Sequence, residues 1–268
     1  MMTFSCTKTS LEPEGRPTPT PTPTPTPSPS PTPVYTGTKG KVEVDSTMSG
    51  RKDCDWVQLW ADGPRWATLN IGSTVSSYSA LATVTKDTTP DTEGSVSTLY
   101  CTENCGGLYA WGASELNAHI SVWSQYSDRS EDIASSIWGR FWKTPTIEAL
   151  MNLMGKDATG EPLAEPKTVI TWCTGEPGSQ YTEGCTLAGY KISGLEGTEF
   201  ADNSIFLPTT GQFSPVSGNV LWASTMGIYW SSTQSGDKSC NLYFNDRKQL
   251  APVNERRFGY AVRAILAE

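Results

Sequence analysis

The chain has 268 residues, of which 37% are hydrophobic and 10% aromatic, enough for a sizeable core in one or two domains. Its formal charge is −8 and its pI about 4.8, which argues against nucleic acid as a partner, because a duplex binder needs a basic face to release counterions. No run approaches the ~18 apolar residues of a spanning helix, so no segment is expected to cross a membrane.

The first residues, "MMTFSCTKTS", place a small residue directly before Cys6 and polar sequence after it. This resembles the end of a bacterial lipoprotein signal, cut short of its basic and apolar parts, and implies lipidation at Cys6. Residues 1–16 are therefore read as a signal remnant and tether. Residues 17–36 open with "PTPTPTPTPTPSPSPTP", proline at every second position. Proline fixes φ and lacks an amide donor, so this stretch is expected to be a polyproline II stalk of roughly 50 Å at about 3.1 Å per residue. A lipid anchor followed by a stalk predicts a cell-surface or outer-membrane lipoprotein facing outward, touching the membrane only through that anchor, and a monomer.

Residues 37–268 are the expected domain. "DWVQLW" and "RWATLNIG" read as two strands around an "ADGP" turn. Residues 73–107, rich in Ser, Thr, Asp and Gly, are expected to be a loop-rich insertion holding "CTENC". A helix is expected over 129–138. A second carries Thr144 as N-cap, Pro145 in the first turn, and Ile147, Leu150, Met151 and Met154 at i, i+3, i+4, i+7, a core stripe. From residue 168 the segments "TVITWC", "GYKISGL", "SIFLPTTG", "IYWSST", "CNLYFND" and "YAVRAIL" read as strands separated by Gly, Asp or Ser. Helices followed by a strand-rich half predict an α+β fold.

Of the seven cysteines, six remain once Cys6 is set aside, an even number consistent with disulfides in an oxidising compartment. Cys101–Cys105 and Cys173–Cys185 are the local pairs, leaving Cys54 and Cys240. The spacing does not fit a zinc knuckle, and the single histidine, His119, leaves little for Ser-His or Cys-His nucleophilic catalysis. Residues 237–263 depart from the acidic balance. Lys238, Arg247, Lys248, Arg256, Arg257 and Arg263 stand against Asp237, Asp246 and Glu255, six minus three, a net +3.

"VQLW…RWATLNIG", "YAWGASE", "WGRFWKTPTIEALMNLM", "GYKISG", "SIFLPTTG", "YWSST", "NLYFN" and "RRFGYAVRAIL" stand in the order found in the Fibrobacter-type major paralogous domain, which the chain resembles from Asp55 to its end. The resemblance implies a C-type lectin-like domain related to formylglycine-generating enzymes: two helices flanking small, twisted antiparallel sheets, with much loop. The same scaffold carries the variable proteins of diversity-generating retroelements, whose displayed segment ends in a "G-x-x-V-R" pattern. Gly259-Tyr260-Ala261-Val262-Arg263 occupies that place. Lys143 stands where the family usually has Arg.

In "CNLYFND" alternate residues face opposite sides of a strand, so Leu242 and Phe244 are expected inside and Asn241, Tyr243 and Asn245 outside. Tyr, Arg and Asn suit an exposed recognition face. The expected ligand-binding residues are Gln234, Asp237, Lys238, Asn241, Tyr243, Asn245, Arg247, Gln249, Asn254, Arg256, Arg257 and Tyr260. Trp230, Gly259 and Arg263 belong to the frame, Arg263 buried against a carboxylate or backbone carbonyls. These residues predict a non-catalytic, adhesin-like module for a protein or glycan.

Three alternatives follow. Adenine-directed diversification would make the segment variable, but it cannot produce Gln234, Lys238, Lys248, Gln249 or Glu255, because the third base of the codon stays a pyrimidine. A fibre subunit would expose an unpaired hydrophobic strand edge. An oxidase of the formylglycine-generating type needs a copper-binding cysteine pair, and Cys240 is the only cysteine in the C-terminal sheet region. No cofactor is expected. Calcium is the one candidate raised, because "EPG" (176–178) and "FND" (244–246) each differ by one residue from the lectin motifs "EPN" and "WND".

Overall fold

Alternating apolar residues bounded by Gly, Asp and Ser dominate the chain, and strands follow from them. The computed structural model describes residues 35–49, 51–73, 106–112, 132–174, 188–217, 219–223 and 225–267. The contacts divide the chain into two units, Met1–Val34 and Tyr35–Glu268. The first unit, including Cys6 and nearly all of the stalk, lies outside the described residues, as do Cys101, Cys105, Cys185, His119 and most of the 73–107 insertion.

Among the described residues of the second unit, four antiparallel sheets form. The first has the order β1–β2–β3–β14–β4, from Lys39–Glu43, Asp53–Gln58, Arg65–Ala67, Ile265–Leu266 and Trp142–Lys143. The second joins β5 (Thr168–Thr174), β6 (Ala188–Gly194) and β7 (Ser204–Pro208) in chain order. β8 (Gln212–Ser214) and β9 (Asn219–Leu221) form a ribbon. In the last sheet, β10 (Gly227–Ser235) pairs with β11 (Lys238–Phe244), which pairs in turn with β12 (Gln249–Leu250) and β13 (Val253–Glu255).

The α+β, C-type lectin-like expectation is overturned here. Among the described residues the helices are α1 (Ser46–Ser49), α2 (Ile133–Trp138) and α3 (Ile147–Leu153), with 4, 6 and 7 residues. They are too short to form a layer of their own, and the core is made by strands and the segments between them. The fold is predominantly β.

α3 keeps the predicted stripe, with Ile147, Leu150, Met151 and Met154 all buried. Its N-cap is Thr146, whose side chain accepts from the Ala149 amide, not Thr144. Thr144 is drawn elsewhere: its amide and hydroxyl donate to the Asp132 carboxylate, which also caps α2 through the Ser135 amide. One carboxylate thus fixes a helix start and the approach to the next helix.

"YAVRAIL" is not one strand. Only Ile265–Leu266 pair in a sheet, and the residues before them thread the middle of the unit. Gly259 bridges to Phe213, Tyr260 to Tyr109 and Ala261 to Tyr229, while the Val262 and Ala264 carbonyls accept from the Ile71 and Ala67 amides. This segment therefore ties all the sheets but β5–β6–β7 by its own backbone. Gly259 permits the close approach, since a Cβ there would lie 2.7 Å from Cβ of Phe213.

Arg263 reaches β7. Its guanidinium, 2% exposed, donates to Asn70 Oδ1 at 2.8 Å, to the Ala67 carbonyl at 3.0 Å and to the Phe206 carbonyl at 2.7 Å. These are neutral oxygens, two of them the backbone carbonyls that the sequence reading expected.

Candidate recognition site

β11 runs through the middle of its sheet and decides where the predicted binding residues go. Leu242 and Phe244 face the core, fully buried. The opposite side is not solvent. Trp230 and Asn241 are register partners on that side, both with no exposure. Tyr260 lies over Trp230 at 4.2 Å between ring centroids, and the Trp230 indole N–H donates to the Tyr109 carbonyl at 2.8 Å.

Three predicted contact residues therefore belong to the frame. Asn241 is buried; its amide group donates to the Pro252 carbonyl at 3.2 Å and its Oδ1 has no hydrogen-bond partner. Tyr260 is 1% exposed, and burial holds its phenol protonated well above the ordinary value. Arg256 is 7% exposed. Its guanidinium lies 4.3 Å from the Trp111 ring centroid and donates to Ser239 Oγ, the Gly236 carbonyl and Gln234 Oε1, clamping the β10–β11 turn onto the strand after it. Alternation places Asn241 on the second face of β11 but does not tell what covers that face, and Arg256 and Tyr260 are residue types that suit a recognition face and a buried frame alike.

The remaining predicted residues separate to the two ends of β11, about 20 Å apart at roughly 3.3 Å per residue. At the β10–β11 end Gln234, Asp237 and Lys238 are exposed and Asn254 half-buried. Arg257 is engaged by the Glu255 carboxylate and lies over Phe258, with little of its side chain exposed. At the other end are Tyr243, Asn245, Arg247 and Gln249, and here the structure brings together a site.

The β11–β12 turn is braced from within. Asn245 Oδ1 accepts from the Arg247 and Lys248 amides, both at 3.0 Å, an Asx turn that fixes the loop. Beneath it Tyr190 of β6 donates to the Asn245 carbonyl at 3.1 Å and accepts from Gln249 Nε2 at 2.5 Å. Lys156 donates to the Gln249 carbonyl at 3.1 Å. On this base Arg247 stands with 86% of its side chain exposed, 3.7 Å from Asp246, and Lys248 lies over the half-exposed Tyr243 ring at 5.7 Å. Trp172, half-buried, meets Tyr190 edge-on at 5.0 Å. The outcome is a hydrogen-bonded ledge of aromatic rings carrying exposed cationic side chains.

The sequence reading missed Tyr190, Trp172 and Lys156. The strands of Trp172 and Tyr190 are legible, and the two are register partners, while Lys156 follows α3 outside any strand; nothing in the order of elements says that β5–β6 abuts the β11–β12 turn. As for the cysteines, Cys54 and Cys240 carry free thiols, one in β2 and one in β11, and do not pair with one another. Burial raises the pKa of both thiols. Cys173 is buried in β5, with its expected partner outside the described residues. In the "FND" segment the Asn245 side-chain oxygen is taken by the turn amides, and among the described residues no three His, Cys, Asp or Glu side chains are grouped to hold a metal. Nor, among them, is any helix long and apolar enough to cross a membrane.

No protein family, no curated protein and no solved structure matches the chain.

Proposed function

We propose that this chain is a non-catalytic recognition module, displayed at the cell surface on a lipid-anchored stalk, that binds a protein or glycan through the β11–β12 turn. The observation that carries the reading is the contrast within that turn. Its backbone is held by Asn245, Tyr190 and Gln249, while Arg247 and Lys248 are presented to solvent beside Tyr243. A preorganised base loses little entropy on binding, and Tyr and Arg are the side chains that anchor interfaces best. Two cations on an acidic chain favour a ligand with a negatively charged group, attracted more strongly at low salt. The ordered motifs that resemble the Fibrobacter-type domain support a displayed C-terminal segment as well.

The test is a screen of the full chain against glycan and protein arrays at two salt concentrations. Tyr243→Ala and Arg247→Ala are each expected to weaken a hit by about tenfold or more, the effect of losing roughly 1.4 kcal/mol of contact. A hit indifferent to both substitutions rules out this turn.

One observation favours a second reading, a subunit of a surface fibre. β5 is the outer strand of its sheet, its residues Thr168–Thr174 carry no charge, and Val169 is 44% exposed. Uncharged edge strands pair with other strands. Size-exclusion over a concentration series should then show growth to larger species; a monomer throughout ends that reading.

A further inference from the structure

Away from the ledge, three segments converge on a groove of about 500 Å³: the β2–β3 turn, residues 165–167 leading into β5, and residues 195–200 following β6. Leu59, fully buried, and Phe200, 7% exposed, form its apolar floor. Trp60 is a half-exposed wall. Its indole is seated on the Gly63 backbone so closely that a Cβ there would meet the ring at 2.4 Å. Lys167 Nζ stands 5.8 Å from the indole centroid.

Asp62 and Glu165 complete the rim. Among the described residues Asp62, Glu165 and Lys167 have no ion-pair partner, though all three border one concavity. Thr198 also lines the groove. Its hydroxyl donates to the Leu195 carbonyl at 2.7 Å and accepts from the Phe200 amide at 3.3 Å, which holds the 195–200 segment in place.

We propose that this groove binds a saccharide unit of a glycan, with an apolar face of the sugar ring against Trp60 and its hydroxyls on Asp62, Glu165 and Lys167. The groove's mixed chemistry selects among ligand classes. An anionic ligand meets two carboxylates, and a cationic one meets Lys167 at an indole already facing an ammonium. An apolar ligand strips water from the charges at the rim without replacing it, which is unfavourable. A polyhydroxylated ring gives donors to the carboxylates, an acceptor to the ammonium and C–H surface to the indole. The volume falls within the roughly 300–1,000 Å³ of small-molecule sites. This site is separate from the β11–β12 turn, and the proposal stands or falls without it.

The experiment titrates the full chain with a panel of neutral hexoses, N-acetylhexosamines and their short oligomers, reading ligand-observed NMR saturation transfer and indole fluorescence. Saturable binding by at least one member is expected. Trp60→Ala and Lys167→Ala should each weaken it by tenfold or more, and Trp60→Phe should retain part of it. Glu165→Gln and Asp62→Asn remove charge at constant shape, and Asn tolerates the left-handed backbone of Asp62, φ 57°. Each of these should weaken binding several-fold, while substitution of the exposed Glu148 of α3, Glu148→Gln, leaves it unchanged. Circular dichroism on every variant separates loss of binding from loss of fold. The proposal is overturned if no panel member binds saturably. It is equally overturned if binding survives in a folded Trp60→Ala protein.

Discussion

Replacing Arg263 by alanine is expected to cost about 4 kcal/mol of folding stability, since it removes three hydrogen bonds from a charged group to buried oxygens, at roughly 1.5–3 kcal/mol each, and leaves a cavity where the side chain packed. The value is less than the full sum because removing a buried cation also removes its desolvation penalty. Arg263 joins two parts of the chain: β3 and the segment after it, through Ala67 and Asn70, and β7, through Phe206. Asn70 in turn donates to the Tyr229 hydroxyl at 3.2 Å, and that hydroxyl donates to the Pro208 carbonyl at 2.8 Å, so the loss spreads into β10. Lysine keeps the charge but not the planar fork, and cannot reach three divergent acceptors. Arg263→Lys should therefore recover less than half of the loss. Urea unfolding measures both. A loss below about 1 kcal/mol for alanine would mean that the guanidinium does not organise these elements.

The second large effect is alkaline. Tyr109 and Tyr260 are each 1% exposed, bridged to one another through their backbones, and burial raises both phenol pKa values far above the ordinary 10.0. In the unfolded chain both ionise near 10, whereas the folded chain keeps both protons. The stability carried by the neutral phenols is fully present below that pH and is lost as pH rises above it. Each tyrosine contributes a slope of about 1.4 kcal/mol per pH unit, so the pair contributes roughly 2.7 kcal/mol per unit. Urea midpoints should fall steeply above about pH 10, and Tyr109→Phe with Tyr260→Phe should flatten the fall. An equally steep fall in the double variant would place its origin elsewhere.

Both effects concern residues that the sequence placed unevenly. Arg263 was legible as a buried frame residue through the resemblance, in which it closes the "G-x-x-V-R" pattern. Tyr260, three residues earlier, was placed outside because Tyr reads equally well as core or contact. What decides is the Trp230 ring beneath it, reached only after the chain folds back across β10. For Asn241, period-two alternation was correct along β11, but the second face is roofed by Tyr260 and the Pro252 segment. Arg256, like Tyr260, is a residue type equally at home in a contact, and its Trp111 and Ser239 partners lie elsewhere in the chain. The strands of β5, β6, β7, β10 and β11 and the apolar stripe of α3 were readable because local pattern determines them. The α+β expectation came from the resemblance and from counting helices, and it fell because helices of 6 and 7 residues do not make a layer. The ledge was half legible: its own turn residues were found, while Tyr190, Trp172 and Lys156 arrive from elsewhere in the chain.

The segment from Gln234 to Tyr260 therefore holds two kinds of large polar residue, those that clamp the frame and those presented to a ligand. The most direct test measures array binding and urea stability side by side for Arg247→Ala and Arg256→Ala in the full chain. Arg247→Ala should lose ligand about tenfold or more with stability unchanged within about 0.5 kcal/mol, and Arg256→Ala should lose about 2 kcal/mol of stability through its hydrogen bonds and its Trp111 contact. If Arg247→Ala instead binds normally, or Arg256→Ala loses ligand with full stability, recognition does not lie on the β11–β12 turn.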